Sequence, residues 1–398
     1  MESLNLQTEA VLDPSISFDD FFCEYWLQPQ SILLTGATGF LGSYLLKELL
    51  QKTQAKIYCL VRCSDFEVGK ERIKAGLDSY LLWEEELPSR IIPVMGDLSK
   101  PFLGLSQEQF KKLGDRIDVI YHNGAWVNSF YPYSTLKPTN VLGTQEVLRL
   151  AGHCKTKPVH FISTVGVFFG TNHSPNNLIK ETDSPQAENL KGGYKQSKWV
   201  AEQLIITAKN RGLPACIYRP GRIMGDSKTG IINNLKDLLY LVLKACITIR
   251  QFPAVETTID IVPVDYVSQA IVYLSQQKKS LDKIFHILNP QPIAWGNLID
   301  GIQTLGYDLE ETSYNQWLNN LKSYAKSHND KELYSVSRLF FGPSIKLFSS
   351  QKPLFDTHQT RTGLVETSIV CPPVDRQLLS TYFSYFQKSG YIPALDRC

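Results

Sequence analysis

The sequence predicts an α/β fold: a doubly wound parallel sheet with a smaller, mostly helical C-terminal substrate lobe. Three observations predict it. Short apolar runs alternate with helix-period stretches from residue 31 to residue 225, and parallel strands need such helical crossovers. The first run opens into a glycine-rich turn and an amphipathic helix, the arrangement of a Rossmann-like dinucleotide site. Beyond about Gly225 the rhythm changes to helical segments rich in Leu, Tyr, Phe and Trp.

Taken in order, residues 1–30 are polar and acidic with little periodicity. They read as a leader or linker, with a short helix expected around Phe18–Leu27. Ser31–Thr35 is the first strand, and Leu41, Leu45, Leu46, Leu49 and Leu50 mark one face of the helix behind it. Lys56–Val61, Ile91–Val94, Val119–His122, Val159–Ser163 and Ala215–Tyr218 supply the next five strands. Helices are expected at Asn140–Cys154 and Gly193–Lys209, the latter stopped by Asn210-Arg211-Gly212 ahead of Pro214. Asn233–Lys244, Ser313–Ser327 and Arg376–Lys388 are helices of the lobe, and Ile284–Leu288 is a strand returning to the main sheet. The expected division is a leader (1–30), a dinucleotide-binding domain (31–225, with a returning segment about 257–290) and a lobe (226–256 and 291–398). The lobe is expected over the C-terminal edges of the strands, where such folds bind ligands.

Bulk properties exclude several classes. A chain of 398 residues can bury a large core, and a net charge of +2 gives no support for nucleic-acid binding. No cysteine pair makes a C-x-x-C and no histidine pair an H-x-x-x-H, so reduced thiols and no metal site are expected. The N-terminus has no basic and apolar signal region, and the longest greasy run, Leu238–Leu243, stops at Lys244. That is too short for a membrane span, and a soluble cytoplasmic protein is expected.

The loop Thr35-Gly36-Ala37-Thr38-Gly39-Phe40-Leu41-Gly42 has the spacing T-G-x-x-G-x-x-G. Glycine allows positive φ and close backbone approach, and a helix N-terminus supplies free N–H groups to a pyrophosphate. Gly36, Thr38, Gly39, Phe40, Leu41 and Gly42 are therefore candidate cofactor contacts. The second strand runs into Arg62 with no carboxylate beside it, which favours the 2′-phosphate of NADPH over NAD. Asp97 and Leu98 are expected near the adenine, although a plain Asx turn explains Asp97 as well. Asn123, Gly124 and Ala125 are expected against the adenosine ribose. Pro220, Gly221 and Ile223, in the segment that opens Tyr218-Arg219, are expected to border the nicotinamide. Asn140 either bridges backbone groups or caps a helix.

Tyr194 and Lys198 stand four apart at a helix start, on one face. An ammonium beside a phenol is expected to lower its pKa toward the working range. Thirty residues earlier, Ser163-Thr164 closes the fifth strand and offers a hydroxyl to the same carbonyl oxygen, with Thr164 preferred over Ser163. The expected set is Thr164 and Tyr194 as donors to that oxygen, and Lys198 tuning Tyr194 and holding the nicotinamide ribose.

The ordered segments T-G-A-T-G-F-L-G, L-V-R, G-D-L, H-N-G-A-W-V-N, N-V-L-G-T, Y-x-x-x-K, Y-R-P-G-R-I-M-G and P-V-D-Y-V resemble the terminal thioester reductase domains of nonribosomal peptide and polyketide synthetases. The reductase domains of carboxylic acid reductases and aminoadipate reductases are similar, and all belong to the extended short-chain dehydrogenase/reductase superfamily. The resemblance implies NADPH-dependent reduction of a thioester, held on the phosphopantetheine of an acyl or peptidyl carrier protein, to an aldehyde and in some members to a primary alcohol. It maps Thr164, Tyr194 and Lys198 onto the family's Thr-Tyr-Lys set and Arg62 onto its NADPH-phosphate contact. No carrier or adenylation motif occurs in the chain. A monomer or a part of a synthetase assembly is expected, with the carrier arriving separately. A free acyl-CoA reductase, a nucleotide-sugar epimerase or dehydratase, and a non-enzymatic dinucleotide sensor are the rival readings. Lobe residues such as Leu239, Val242, Trp317 and Phe383 are expected to be ordinary core, with a subset lining an apolar channel.

Overall fold

The computed structural model describes residues 4–19, 24–85, 88–169, 178–233, 235, 237–340, 348 and 353–393. Its main sheet contains β1 (Ser31–Thr35), β2 (Lys56–Val61), β3 (Ile91–Met95), β4 (Val119–His122), β5 (Val159–Ile162), β6 (Ala215–Pro220) and β7 (Ile284–Ile287). All are parallel, in the order β7-β6-β5-β4-β1-β2-β3. β1, β4, β5 and β6 are buried along their whole length. Strands covered on both faces read as continuous apolar runs, which is why the sequence displays them so plainly. Strand order reverses between β1 and β4, and the crevice beyond their C-terminal ends is where a doubly wound sheet takes its ligand.

The contact pattern separates two compact units: Met1–Gly221 with Val264–Ile287 and Pro353–Val370, and Arg222–Pro263 with Leu288–Lys352 and Cys371–Cys398. The second unit has its own core, in which Leu239, Val242, Trp295, Leu298, Trp317, Leu321, Tyr382 and Phe383 are buried together. Among the described residues no helix is long and apolar enough to cross a membrane.

Three features of the first unit differ from the expectation. The leader is not a free linker: Leu6, Leu12 and Ile16 are buried in the same cluster as Leu148, Ile205 and Leu213. Arg211 donates to the carbonyls of Leu12, Asp13 and Ile16, Arg149 pairs with Asp13 at 2.7 Å, and Lys137 pairs with Glu9 at 2.6 Å. A strap of this kind has no period for a sequence pattern to reveal.

Second, the helix expected from Asn140 starts earlier. It runs as Tyr133–Lys137, a wide π turn Pro138–Leu142, and Gly143–Ala151. Pro138 has no N–H for the regular ladder, and π turns of this sort concentrate at functional positions. Asn140 thus sits inside the helical run and is not its N-cap.

Third, Pro353–Val370 returns to the first unit, where the sequence pattern suggests one returning segment only. Leu354–Phe355 pairs with Leu178–Ile179. The buried carboxylate of Glu181 accepts from the backbone N–H groups of His286, Gln359 and Thr360 and from the Thr360 hydroxyl. In the second unit, the first helix is Leu238–Ile249, capped by Asp237, and begins later than the expected Asn233. Of the short helix expected at Phe18–Leu27, a 3₁₀ turn at Glu24–Leu27 is present, and residues 20–23 lie outside the described residues.

His122, His160 and His286 are buried and held down to about 3, chiefly by burial, which disfavours the imidazolium. An unfolded chain takes up these protons near the ordinary value of 6.5, so their neutral burial stabilises the fold above that pH. The contribution is lost as pH falls through 6.5 toward 3. Scanning calorimetry should show Tm dropping steadily below neutral pH; a Tm unchanged down to about pH 4 would contradict neutral buried histidines.

Candidate active site

The glycine loop links β1 to the helix Phe40–Lys52. Gly36 has φ +73°, and a Cβ there would lie 2.7 Å from Gly124 Cα. A Cβ at Gly42 would lie 1.8 Å from the Gly36 carbonyl oxygen, so helix and loop touch backbone to backbone. Gly39 is different. It is the helix N-cap, offers no capping side chain, is exposed, and a Cβ there would meet only Gly36 O at an ordinary 3.4 Å. Nothing in the chain itself requires glycine at 39. The uncapped first-turn N–H groups, beginning at Phe40 and Leu41, are what a pyrophosphate satisfies, so these residues fit a dinucleotide. Thr38 and Phe40 are half-buried around the same turn, and Leu41 is buried.

The end of β4 is locked to this loop. Gly124 N–H donates to Thr35 Oγ1 at 2.8 Å, and Thr35 Oγ1 lies 2.9 Å from His122 Nδ1. His122 Nε2 lies 2.9 Å from Thr144 Oγ1, which donates to the Asn140 carbonyl at 2.7 Å. The Thr144 hydroxyl proton is therefore engaged, so neutral His122 carries its proton on Nε2 and accepts from Thr35 at Nδ1. Asn123 reaches the Gly36 carbonyl at 3.4 Å, and Ala125 is half-buried beside it in sequence. Leu98 closes on Gly124, where a Cβ would lie 2.6 Å from Leu98 Cδ1. Asp97 Oδ1 accepts from Ser99 N and Oγ at 2.9 and 2.8 Å, which is the plain Asx turn. Arg62 is exposed just past β2, and Arg72 donates to its carbonyl, which brings a second guanidinium to the same place. The carboxylate three residues on, Asp65, is engaged as the cap of the helix Phe66–Asp78.

At the end of β5 the two hydroxyls part. Ser163 is buried and donates to Glu202, whereas Thr164 Oγ1 accepts from Gly166 N–H at 3.0 Å and keeps its own proton to give. Tyr194 lies in the first turn of the helix Gly193–Asn210, and Lys198 one turn further. Lys198 Nζ donates to the Ile162 carbonyl at 2.7 Å and lies 4.1 Å from the centre of the Phe161 ring, which fastens this helix to β5 just before Thr164. Gly193 lets the helix start abut the preceding loop: a Cβ there would lie 2.3 Å from the Tyr131 carbonyl oxygen. Asn140 Nδ2 donates to the Trp126 carbonyl and to Ser197 Oγ, its Oδ1 accepts from Trp126 N–H, and Ser197 donates to the Tyr194 carbonyl. Asn140 is thus a bridge between elements.

The electrostatics correct one expectation. Burial pushes the Tyr194 phenol up to about 12, where the four-residue spacing predicts a depression by Lys198. Burial also brings Lys198 down to about 7, with Glu202 opposing that shift. The ammonium is turned to Ile162 and Phe161, so desolvation decides both groups. A phenol so placed stays protonated at neutral pH and can act as a proton donor.

Sequence reasoning misses the buried network beneath Thr164. Arg219, in the segment expected to border the nicotinamide, is wholly buried among protein partners. It pairs with Glu202 at 2.6 Å, donates to the Glu181 and Asp183 carbonyls at 3.2 Å each and to His286 Nε2 at 3.2 Å, and lies over the Phe168 ring. Pro220 ends β6, Gly221 N–H donates to the Ile287 carbonyl, and Ile223 belongs to the second unit, paired with Val262. The one available signal is a carboxylate four residues after Lys198 on the same helix face. Among the described residues, Asp115, His153 and Cys154 bring three metal-ligating atoms within 4.8 Å of one another. They lie in the segments that lead into β4 and β5, at the N-terminal ends of these strands and away from the crevice, and His153 Nε2 lies 3.8 Å from Asp115 Oδ1.

The family described as male sterility protein, a NAD-binding domain, matches residues 34–271, more than half of the chain. A linear gramicidin synthase chain of Brevibacillus parabrevis is 40% identical over 98% of this chain and 8% of that protein. The chain spans less than a third of the length of this and the next curated relatives. Among solved structures, the terminal R domain from the myxalamid PKS-NRPS biosynthetic pathway is similar with TM-score 0.91 and 42% identity, covering 98% of this chain and 99% of that one. A thiolation-reductase di-domain from an archaeal nonribosomal peptide synthetase has TM-score 0.76 and 25% identity, covering 97% and 80%.

Proposed function

For a chain that belongs to the male sterility family of NAD-binding domains and is a reductase domain of the synthetase-terminal kind, we propose NADPH-dependent release of a carrier-bound acyl or peptidyl thioester as an aldehyde. The observation that carries this reading is the fastening of the Tyr194–Lys198 helix to the strand end that presents Thr164, in a fold whose ligand crevice holds the glycine loop. When bound, NADPH supplies the hydride. Tyr194, protonated at working pH, gives its proton to the carbonyl oxygen, and Thr164 donates a second hydrogen bond to it. Lys198 holds the nicotinamide ribose. Addition of hydride and proton to the thioester gives a hemithioacetal, and loss of the pantetheine thiol leaves the aldehyde. The carrier protein is the partner this substrate requires, as in the di-domain relative that joins thiolation and reductase domains.

The test offers the purified chain an acyl-pantetheine thioester and NADPH, with a sugar nucleotide in parallel, and follows products by mass spectrometry. Aldehyde or alcohol and free thiol in step with NADPH oxidation are the expected result. Turnover of the sugar nucleotide alone, on tightly held NAD, would replace this reading with the epimerase one.

The choice of NADPH rests on Arg62, just past β2, and on Arg72, which reaches it from the helix Phe66–Asp78. Arg62→Ala should raise KM for NADPH about tenfold or more and leave KM for NADH nearly unchanged, the value of one charge-assisted contact. Equal effects on both cofactors would move the 2′-phosphate elsewhere.

A further inference from the structure

Glu202 is fully buried, and it meets three elements at once. It stands one turn after Lys198 on the helix Gly193–Asn210. Its carboxylate accepts the Ser163 hydroxyl at the end of β5 and pairs with Arg219 on β6. The consecutive residues Ile162 and Ser163 are thus both held from one helix face, Ile162 by Lys198 and Ser163 by Glu202. Thr164 is the next residue, and its direction follows from that double grip.

The charge arrangement points the same way. Around Lys198 the titratable and charged groups are Tyr194 and Glu202 on its own helix, His122 at the end of β4, and, through Glu202, Arg219 on β6. Tyr194 and His122 are neutral at working pH. Glu202 is paired directly with Arg219 and acts on Lys198, one helical turn away, through its charge alone, and a buried ammonium without a counter-charge gives up its proton.

We propose that Glu202 is a positioning residue of the site: its carboxylate fixes the strand end that presents Thr164 and supplies the counter-charge that keeps Lys198 an ammonium. The roles of Thr164 and Lys198 rest on the function proposed above, but the grip and the charge balance do not. Lys198 titrates at about 7 in this setting, and Glu202 is the charge that opposes the effect of burial. Loss of the carboxylate therefore moves that titration to lower pH, and activity that needs the ammonium fails earlier as pH rises.

The experiment compares wild type, Glu202→Gln and Ser163→Ala. Arg219→Met and the double variant Glu202→Gln/Arg219→Met are added in case the lone substitution fails to fold, so that the carboxylate is also removed in a background without the second cation. Two readouts are taken: the pH profile of kcat and kcat/KM, and the NMR titration of Lys198 in protein labelled at lysine Cε, its signal assigned by its loss in Lys198→Met. Removal of the carboxylate should lower the Lys198 midpoint and reduce kcat at neutral pH about tenfold, in proportion to the ammonium fraction that remains, with recovery at lower pH. Ser163→Ala should lower kcat several-fold, about the effect of one lost neutral hydrogen bond, without changing the Lys198 midpoint or KM for NADPH. A Lys198 midpoint that does not move when the carboxylate is removed, from wild type to Glu202→Gln or from Arg219→Met to the double variant, overturns the counter-charge role, and full activity of Ser163→Ala overturns the positioning role. If wild type reduces no thioester, the titration still decides for or against Glu202 while the functional reading falls alone.

Discussion

Replacing Tyr194 with phenylalanine is expected to reduce kcat by about two to three orders of magnitude, the usual loss when a donor to a developing oxyanion is removed. The fold should not suffer. The ring stays, its helix is held by Lys198 on Ile162 and by Asn140 through Ser197, and none of these contacts uses the phenol oxygen. KM for NADPH should change little, because the contacts proposed for the pyrophosphate and the 2′-phosphate, at Gly39 and Arg62, do not involve the phenol. With burial raising the phenol to about 12 and lowering Lys198 to about 7, a loss of activity as pH rises above neutral is expected from the lysine and not from the phenol. Steady-state kinetics across pH, with NADPH affinity measured by fluorescence, checks all three statements. A variant with near-normal kcat would remove Tyr194 from the chemistry and leave only the dinucleotide fold.

What the sequence shows of this molecule is what is local. β1, β4, β5 and β6 declare themselves because strands covered on both faces are unbroken apolar runs, and the first turn does because a strand–glycine–helix turn has few solutions. The same holds for Tyr194 and Lys198, whose four-residue spacing fixes their common face. Whatever depends on partners distant in the chain stays hidden. Glu202 meets Ser163 39 residues away, and Glu181 meets Thr360 179 residues away; the spacing of Glu202 from Lys198 gives its helix face but not these partners, and Glu181 has no pattern around it. The leader's Leu6, Leu12 and Ile16 are core residues without a period, and an Asx turn at Asp97 looks the same in sequence as a ligand contact. The phenol's expected depression fails for a related reason. Spacing reveals a neighbouring ammonium, but only the folded chain shows that it donates to the Ile162 carbonyl and that burial outweighs it.

Alanine at Gly39 and alanine at Gly42 should fail in opposite ways, and the contrast tests whether the loop is a ligand site or a turn. At Gly42 the added methyl would lie 1.8 Å from the Gly36 carbonyl oxygen and 2.7 Å from its carbon. Backbone cannot rotate aside as a side chain does, so helix and loop must separate, at a cost of about 3 kcal/mol or more. Gly42→Ala is therefore expected to lower Tm by several degrees and to lose NADPH binding as a consequence. At Gly39 the methyl would meet nothing closer than 3.4 Å and would protrude at an uncapped helix start. The fold should tolerate it, and stability should stay within about 0.5 kcal/mol of wild type. The methyl would, however, occupy the position where a pyrophosphate closes on the first-turn N–H groups, so the affinity for NADPH should fall at least about tenfold. Thermal melts and NADPH titrations on the two variants decide the matter: if Gly39→Ala binds NADPH as wild type does, the exposed glycine is only a turn and the phosphates must lie elsewhere.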